Sequence, residues 1–237
     1  MERAGDSTPS VTTFYFKGTR AETIELGENA AHHARVKRLA PGDPVNVTDG
    51  EGQFGTGRIE SIAKHSVHVT LRDLRSVEAP PAIHLCVPVA DKDRMLLVAE
   101  KVTELQVTSW IPVMYSRSRS VSPRGEGEAF DRKVLARMIS ALEQSGGAWL
   151  PVIHPIQTIE EIADRQGLVL ERGGAKLGGS PLAAPLTLAV GPEGGFEPEE
   201  LEQLRDRGWN TASLGGVTLR FETAAIAAVA IGRAQLS

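Results

Sequence analysis

The most constraining feature of this 237-residue chain is a change of pattern at Ala79-Pro80-Pro81-Ala82. Two consecutive prolines favour an extended linker. Before it, residues 12–17 are rich in Thr and aromatics, residues 44–48 alternate, and Asp49-Gly50-Glu51-Gly52 supplies tight-turn chemistry ahead of 53–62. Val67, Val69 and Leu71 alternate with Ser66, His68 and Thr70, the mark of a strand with one wet face. One helix interrupts, over 28–39, closed by Pro41-Gly42. These residues predict a small β-barrel at 11–79 behind a disordered tail at 1–10.

Beyond the linker, strands and helices alternate. Strands are expected at 83–89, 109–113, 167–171, 186–190 and 211–214, and helices at 91–105, 128–144, 158–165, 197–207 and 221–234. In the first of these helices Met95, Leu96, Val98, Ala99, Val102 and Leu105 form an apolar face. Short apolar runs bounded by Gly and Pro suit central parallel strands. Residues 82–237 therefore read as an α/β domain with a mostly parallel sheet, and such sheets bind ligands at the carboxyl ends of their strands. Between Tyr115 and Ala129 apolar periodicity is absent, and Arg117, Arg119 and Arg124 stand among serines. That segment is either a solvated loop or one that contacts phosphates.

Lys plus Arg number 26 against 30 Asp plus Glu, a net charge of −4. A protein that simply coats nucleic acid carries a large basic excess, so that class is excluded, although RNA as a substrate is not. A single cysteine, Cys86, allows no intrachain disulfide and fits a cytoplasmic protein. No apolar run of about 18 residues spans a membrane, and the first ten residues lack a signal-peptide core. The six histidines form no metal signature: His32 and His33 are adjacent, and His65 and His68 would face opposite sides of a strand.

Chemistry concentrates in two strand–loop–helix junctions. In the first, Val190-Gly191-Pro192-Glu193-Gly194-Gly195-Phe196-Glu197-Pro198-Glu199-Glu200, three glycines permit unusual backbone angles and close approach of a ligand. Pro198 suits a first helical position, with acidic residues at the positive end of the helix dipole. A phosphate loop would instead carry Lys and Ser or Thr after its glycines, and no strand is followed by G-x-G-x-x-G. A neutral or cationic ligand fits better, and S-adenosylmethionine carries a sulfonium and no phosphate. In the second junction, Ser213-Leu214-Gly215-Gly216-Val217-Thr218-Leu219-Arg220-Phe221-Glu222-Thr223, glycines again precede a helix. Arg220 and Glu222 lead into the segment 224–230, which is apolar on every side and expected to be buried. Two such charges are costly unless they pair with each other or have a function.

These motifs resemble the RsmE-like family of SPOUT (trefoil-knotted) methyltransferases, which methylate N3 of a uridine in small-subunit (16S) ribosomal RNA. The likeness rests on G-P-E-G-G-F at 191–196 and L-G-x-x-x-L-R-x-E-T-A at 214–224. Further support comes from His32-His33-Ala34-Arg35-Val36-Lys37-Arg38, Glu100-Lys101-Val102-Thr103-Glu104-Leu105 and Glu143-Gln144-Ser145, all in family order.

The resemblance implies an N-terminal PUA-like β-barrel that binds RNA and a C-terminal SPOUT α/β domain with a deep trefoil knot. It also implies a homodimer, S-adenosylmethionine as cofactor with no metal, and 16S rRNA or the assembled small subunit as partner. The cofactor would lie against Leu170 and Glu171, the loop Gly191, Pro192, Glu193, Gly194 and Gly195, and Leu214, Gly215 and Leu219. Arg220 would stabilise negative charge on the uracil carbonyls, and Glu222 would orient Arg220 or accept the N3 proton. His32, Arg35, Lys37 and Arg38, with Arg35 and Arg38 on one helix face, would meet RNA phosphates, and Arg117, Arg119 and Arg124 are further candidates. The chain departs from the family at Val217, Phe221, Gln106 and Gly147. Two cations near the expected RNA path are thereby lost. A catalytically impaired RNA-binding or ribosome-assembly protein, or a methyltransferase for another nucleotide, stays open as an alternative.

Overall fold

The computed structural model describes residues 11–18, 22–120 and 122–236, with the side chains of Arg119 and Ser120 outside that description. The tail expected at 1–10 also lies outside the described residues. The chain divides into two compact units: residues up to Glu78 together with Glu143–Ala148, and Ala79–Leu142 together with Trp149–Ser237.

The first unit contains β1 (Thr13–Tyr15), β2 (Thr23–Leu26), α1 (Glu28–Val36), β3 (Pro44–Thr48), β4 (Gln53–Ile62) and β5 (Val67–Ser76). Its sheet runs β1-β3-β4-β5-β2, with β1 parallel to β3 and the other pairs antiparallel. The two end strands, β1 and β2, are not hydrogen-bonded to each other among the described residues, so the pairing seen there is that of an open five-stranded sheet. The turn between β3 and β4 forms because the Asp49 carboxylate accepts from the amides of Glu51 (2.8 Å) and Gln53 (2.9 Å). Phe14, Val45, Val47, Ile59, Val67 and Val69 form the core of this unit together with Ala31 and Ala34 of α1.

The helix α1 stops at Val36, three residues short of the sequence expectation. Arg38 takes a left-handed conformation (φ 56°), and the Leu39 amide turns back to the Ala34 carbonyl. Arg38 is thus past the helix end and does not share a helical face with Arg35.

Glu143–Ala148, which the sequence reading placed within 82–237, groups with the first unit. The physical reason is local bonding. The Glu143 carboxylate accepts from the Tyr15 amide at 2.8 Å, and the Ala148 carbonyl accepts from the Gly52 amide at 2.8 Å.

In the second unit β6 (Ile83–Pro88), α2 (Lys92–Glu104), β7 (Ser109–Val113), α3 (Glu128–Ser145, whose residues from Glu143 on group with the first unit) and β8 (Val152–Ile153) come first. They are followed by α4 (Ile159–Ala163), β9 (Leu168–Lys176), β10 (Leu186–Val190), α5 (Pro198–Asp206), β11 (Asn210–Ser213) and α6 (Phe221–Leu236). All six strands are parallel, in the order β11-β9-β10-β6-β7-β8. Strand residues alternate between two apolar layers. Ile83, Leu85, Val87, Leu186 and Leu188 face a core with α2, α3 and α6, whereas Cys86 and Ala189 face one with α4 and α5. Burial on both faces explains why these strands read as continuous apolar runs. Asp91 starts α2 by accepting from the amides of Asp93 and Arg94 at 3.1 Å each.

The strand β9 continues to Lys176, past its expected end at Glu171. Its pairing with β11 jumps from Thr211↔Val169 to Ala212↔Ala175, so residues 170–174 leave the ladder and rejoin it. Gly174 permits the rejoining, since a Cβ there would lie 2.8 Å from the backbone of Thr211 and Ala212.

Candidate cofactor cleft

Three neighbouring strands contribute. The 191–197 loop follows the carboxyl end of β10, the 214–220 loop follows the carboxyl end of β11, and the 170–174 excursion lies within β9 between its two stretches of pairing with β11. The three segments surround a cleft of about 250 Å³. Leu170, Glu171, Gly191, Pro192, Glu193, Gly194, Gly195, Leu214, Gly215 and Leu219, the ten residues expected from sequence, all line it. Arg172 and Phe196 line it as well without being expected there, and so do Val217, a departure from the family motif, and Thr218, both within the expected 214–219 segment. Arg172 had a legible signal, a cation beside Glu171 at a strand end before two glycines. Its guanidinium reaches the Thr218 hydroxyl at 3.4 Å, linking two of the three segments.

The 191–197 loop is held by its surroundings. Its turn closes with the Gly195 amide donating to the Pro192 carbonyl at 2.8 Å, with Gly195 at φ 74°. Gly191 is small because a Cβ would press on the Phe196 ring at 2.9 Å, and that ring packs edge-on against Tyr115 at 5.0 Å. Gly194 makes room for a different neighbour: a Cβ there would meet Arg117 Cδ at 2.9 Å. The glycines therefore admit protein groups as well as any ligand.

The loop's acidic residues are also engaged. Glu193 pairs with Arg94 of α2, and Glu197 accepts from Arg117 Nε (2.9 Å) and Nη2 (3.1 Å). Glu200, only 7% exposed, accepts from the amides of Glu197 and Ser116, each at 2.8 Å. This corrects the electrostatic part of the sequence reading. Arg94 and Arg117 offset Glu193 and Glu197, so these two carboxylates do not by themselves select a cationic ligand. The donor chemistry nevertheless suits an adenosyl cofactor. Leucines 170, 214 and 219 give apolar walls, and three irregular segments present main-chain amides and carbonyls beside them.

Arg220 and Glu222 stand beside the cleft without lining it, although Leu219, Phe221 and Ala224 do. Arg220 is exposed, and its carbonyl accepts from the Ala224 amide at 2.9 Å at the start of α6. Glu222 is 9% exposed, and its Oε2 has no hydrogen-bond partner among the described residues. The two do not form the ion pair weighed from the sequence. The helix they introduce is also less enclosed than expected: Ala225, Ala228 and Val229 are buried, but Ile226, Ala227 and Ala230 are half-buried.

Of the cations expected to meet RNA, His32, Arg35, Lys37 and Arg38 are all exposed on the first unit, where Arg35 donates to the Lys64 carbonyl at 3.1 Å. Arg117 pairs with Glu197, and Arg124 pairs with Glu126 at 2.8 Å. The Glu197 carboxylate raises the Arg117 pKa above its ordinary value. Residues 116–120, which lack apolar periodicity, form a single 3-10 turn.

Residues 77–233 match the RNA methyltransferase domain, and residues 26–72 match the RNA methyltransferase PUA domain. The ribosomal RNA small subunit methyltransferase E of Rickettsia conorii is 28% identical over 234 residues, covering 91% of this chain and 92% of its own length. Its counterpart from Neisseria gonorrhoeae, solved bound to S-adenosyl methionine, superposes with a TM-score of 0.82 at 29% identity, covering 94% of this chain and 97% of that one. A Legionella pneumophila protein solved in complex with SAM superposes with a TM-score of 0.84 at 28% identity, with the same coverage. With an N-terminal PUA-like domain, a parallel-sheet α/β domain and a cleft where the loops of β9, β10 and β11 meet, the chain belongs to the RNA methyltransferase family.

Proposed function

We propose that the chain methylates N3 of a uridine in 16S ribosomal RNA, using S-adenosylmethionine. The observation that carries this reading is the convergence of all ten expected cofactor residues on one cleft. When bound, the cofactor supplies an activated methyl group. The chain's own residues have the remaining tasks. Leu170, Leu214 and Leu219 hold the adenine end by apolar contact, and the loop main chain orients the polar end. N3 of uridine bears a proton at neutral pH. Arg220, exposed at the rim, stabilises negative charge on the uracil carbonyls, and the free carboxylate oxygen of Glu222 receives the proton. His32, Arg35, Lys37 and Arg38 contact RNA phosphates from the first unit.

The same reading includes a deep trefoil knot in the second unit, supported by the motif resemblance. It includes a homodimer, supported by the same resemblance. Among the described residues no helix is long and apolar enough to cross a membrane, and a ribosomal substrate suits a cytoplasmic location. The test is to incubate purified protein with small subunits lacking the modification and labelled cofactor, then digest the RNA for mass spectrometry. N3-methyluridine is expected, with its yield abolished by Arg220→Ala. A different methylated nucleoside, or none, overturns the reading.

A further inference from the structure

Arg117 lies outside the cleft but controls one of its walls. It sits on the 3-10 turn Ser116–Ser120, directly after Tyr115, and reaches Gly194 and Glu197, about 80 positions later. One edge of its guanidinium takes both oxygens of Glu197, while Nη1 donates to the Gly194 carbonyl. A planar fork can hold a carboxylate and a carbonyl at once, which a lysine ammonium cannot do with the same geometry. The approach depends on Gly194 lacking a Cβ.

The consequence concerns one peptide plane. The Gly194–Gly195 peptide is flanked by two residues with wide backbone freedom, so left alone it has several accessible orientations. Here its carbonyl is held by Arg117, and its amide donates to Pro192 at 2.8 Å. With both ends bonded, the plane has one orientation. Gly194 and Gly195 both line the cleft, so that orientation decides what the wall presents to a ligand. Nearby bonds support the clamp: the Ser116 amide donates to Glu200 at 2.8 Å, and Tyr115 packs on Phe196. On the other flank Arg94 holds Glu193.

We infer that Arg117 is a positioning residue for S-adenosylmethionine, fixing the Gly194–Gly195 peptide in its binding orientation rather than contacting RNA. The inference rests on reading the cleft as the cofactor site. A surface ion pair with ends 41% and 37% exposed adds little to stability, so the effect is expected in ligand binding.

The test is calorimetric titration of S-adenosylmethionine into the full chain, its R117A, R117K and E197Q variants, each checked by thermal melting without ligand. For R117A the Kd is expected to rise roughly tenfold, with the ligand-free melting temperature within about 2 °C of the parent. R117K, which keeps the charge but not the fork, is expected to recover only part of that loss. E197Q, which spares the Gly194 contact, should show a smaller rise in the same direction. Parent-like affinity in R117A overturns the inference. So does unchanged cofactor affinity with weaker RNA binding and a flatter salt dependence, which would make Arg117 a phosphate contact. A parent protein that binds no cofactor removes the cleft reading itself, a failure distinct from either.

Discussion

Glu222 combines two properties seldom found together in a stable side chain. It is 9% exposed, and one carboxylate oxygen has no partner among the described residues. A buried polar atom without a bond is costly, which suits a group kept available for chemistry. Glu222→Gln keeps the shape and removes the acceptor charge. The methylation rate at saturating substrates is expected to fall roughly 100-fold, with cofactor Kd unchanged by calorimetry. A rate within about twofold of the parent would remove Glu222 from proton transfer. At this scale the cleft was legible in part. Glycines punctuating strand ends marked two of its loops, because backbone freedom leaves a local signature, and the family resemblance supplied the ten expected residues. The bonds of Arg94 to Glu193 and Arg117 to Glu197 left none, because they join segments far apart in sequence and close only in the fold.

Among the elements, β9 best shows where pattern reading stops. Its apolar run ends near Leu170, so the sequence predicts a strand ending there, yet β9 rejoins β11 at Ala175 after the 170–174 excursion. No apolar run marks the second half, where Gly173 takes φ 93° and Gly174 makes room for β11. Gly174→Ala would set a Cβ 2.8 Å from the main chain of β11, and a strand backbone yields little. Unfolding in denaturant is expected to show a loss of about 1–3 kcal/mol, with weaker cofactor binding because the displaced excursion is one cleft wall. A parent-like midpoint would mean that β11 can move aside. By contrast, β7, β10 and the body of α2 follow their sequence boundaries closely, since buried runs and helical periodicity carry the signal directly.

For the molecule as a whole, charge is sparse and placed. Residues 1–80 carry 10 Lys plus Arg against 11 Asp plus Glu, so RNA contact from this side depends on a few positions rather than a general basic field. Stability has its own pH signature. Burial lowers the pKa of His33 in the first unit and of His84 and His154 in the second, with Lys37 adding to the first shift and Arg165 to the others. A histidine depressed in the folded state contributes stability that is present above 6.5, its unfolded value, and is lost as pH falls through the depressed value. Glu143 has the opposite sign. Burial raises its pKa, so its contribution is present below 4.5 and is lost as pH rises through the raised value. Melting followed from about pH 7.5 to 5.5 should show destabilisation on acidification, and His84→Asn with His154→Asn should flatten that loss. An unchanged pH slope in the double variant would count against burial of these rings as its source.

The discontinuous make-up of the first unit also has a consequence for how the chain is born. During synthesis the strands of that unit emerge first, but the Glu143 carboxylate that receives the Tyr15 amide and the Ala148 carbonyl that receives the Gly52 amide emerge only after much of the second unit's polypeptide. The N-terminal domain therefore cannot complete its native bonds as an early, independent product of translation. Its last bonds wait for residues 143–148 to leave the exit tunnel.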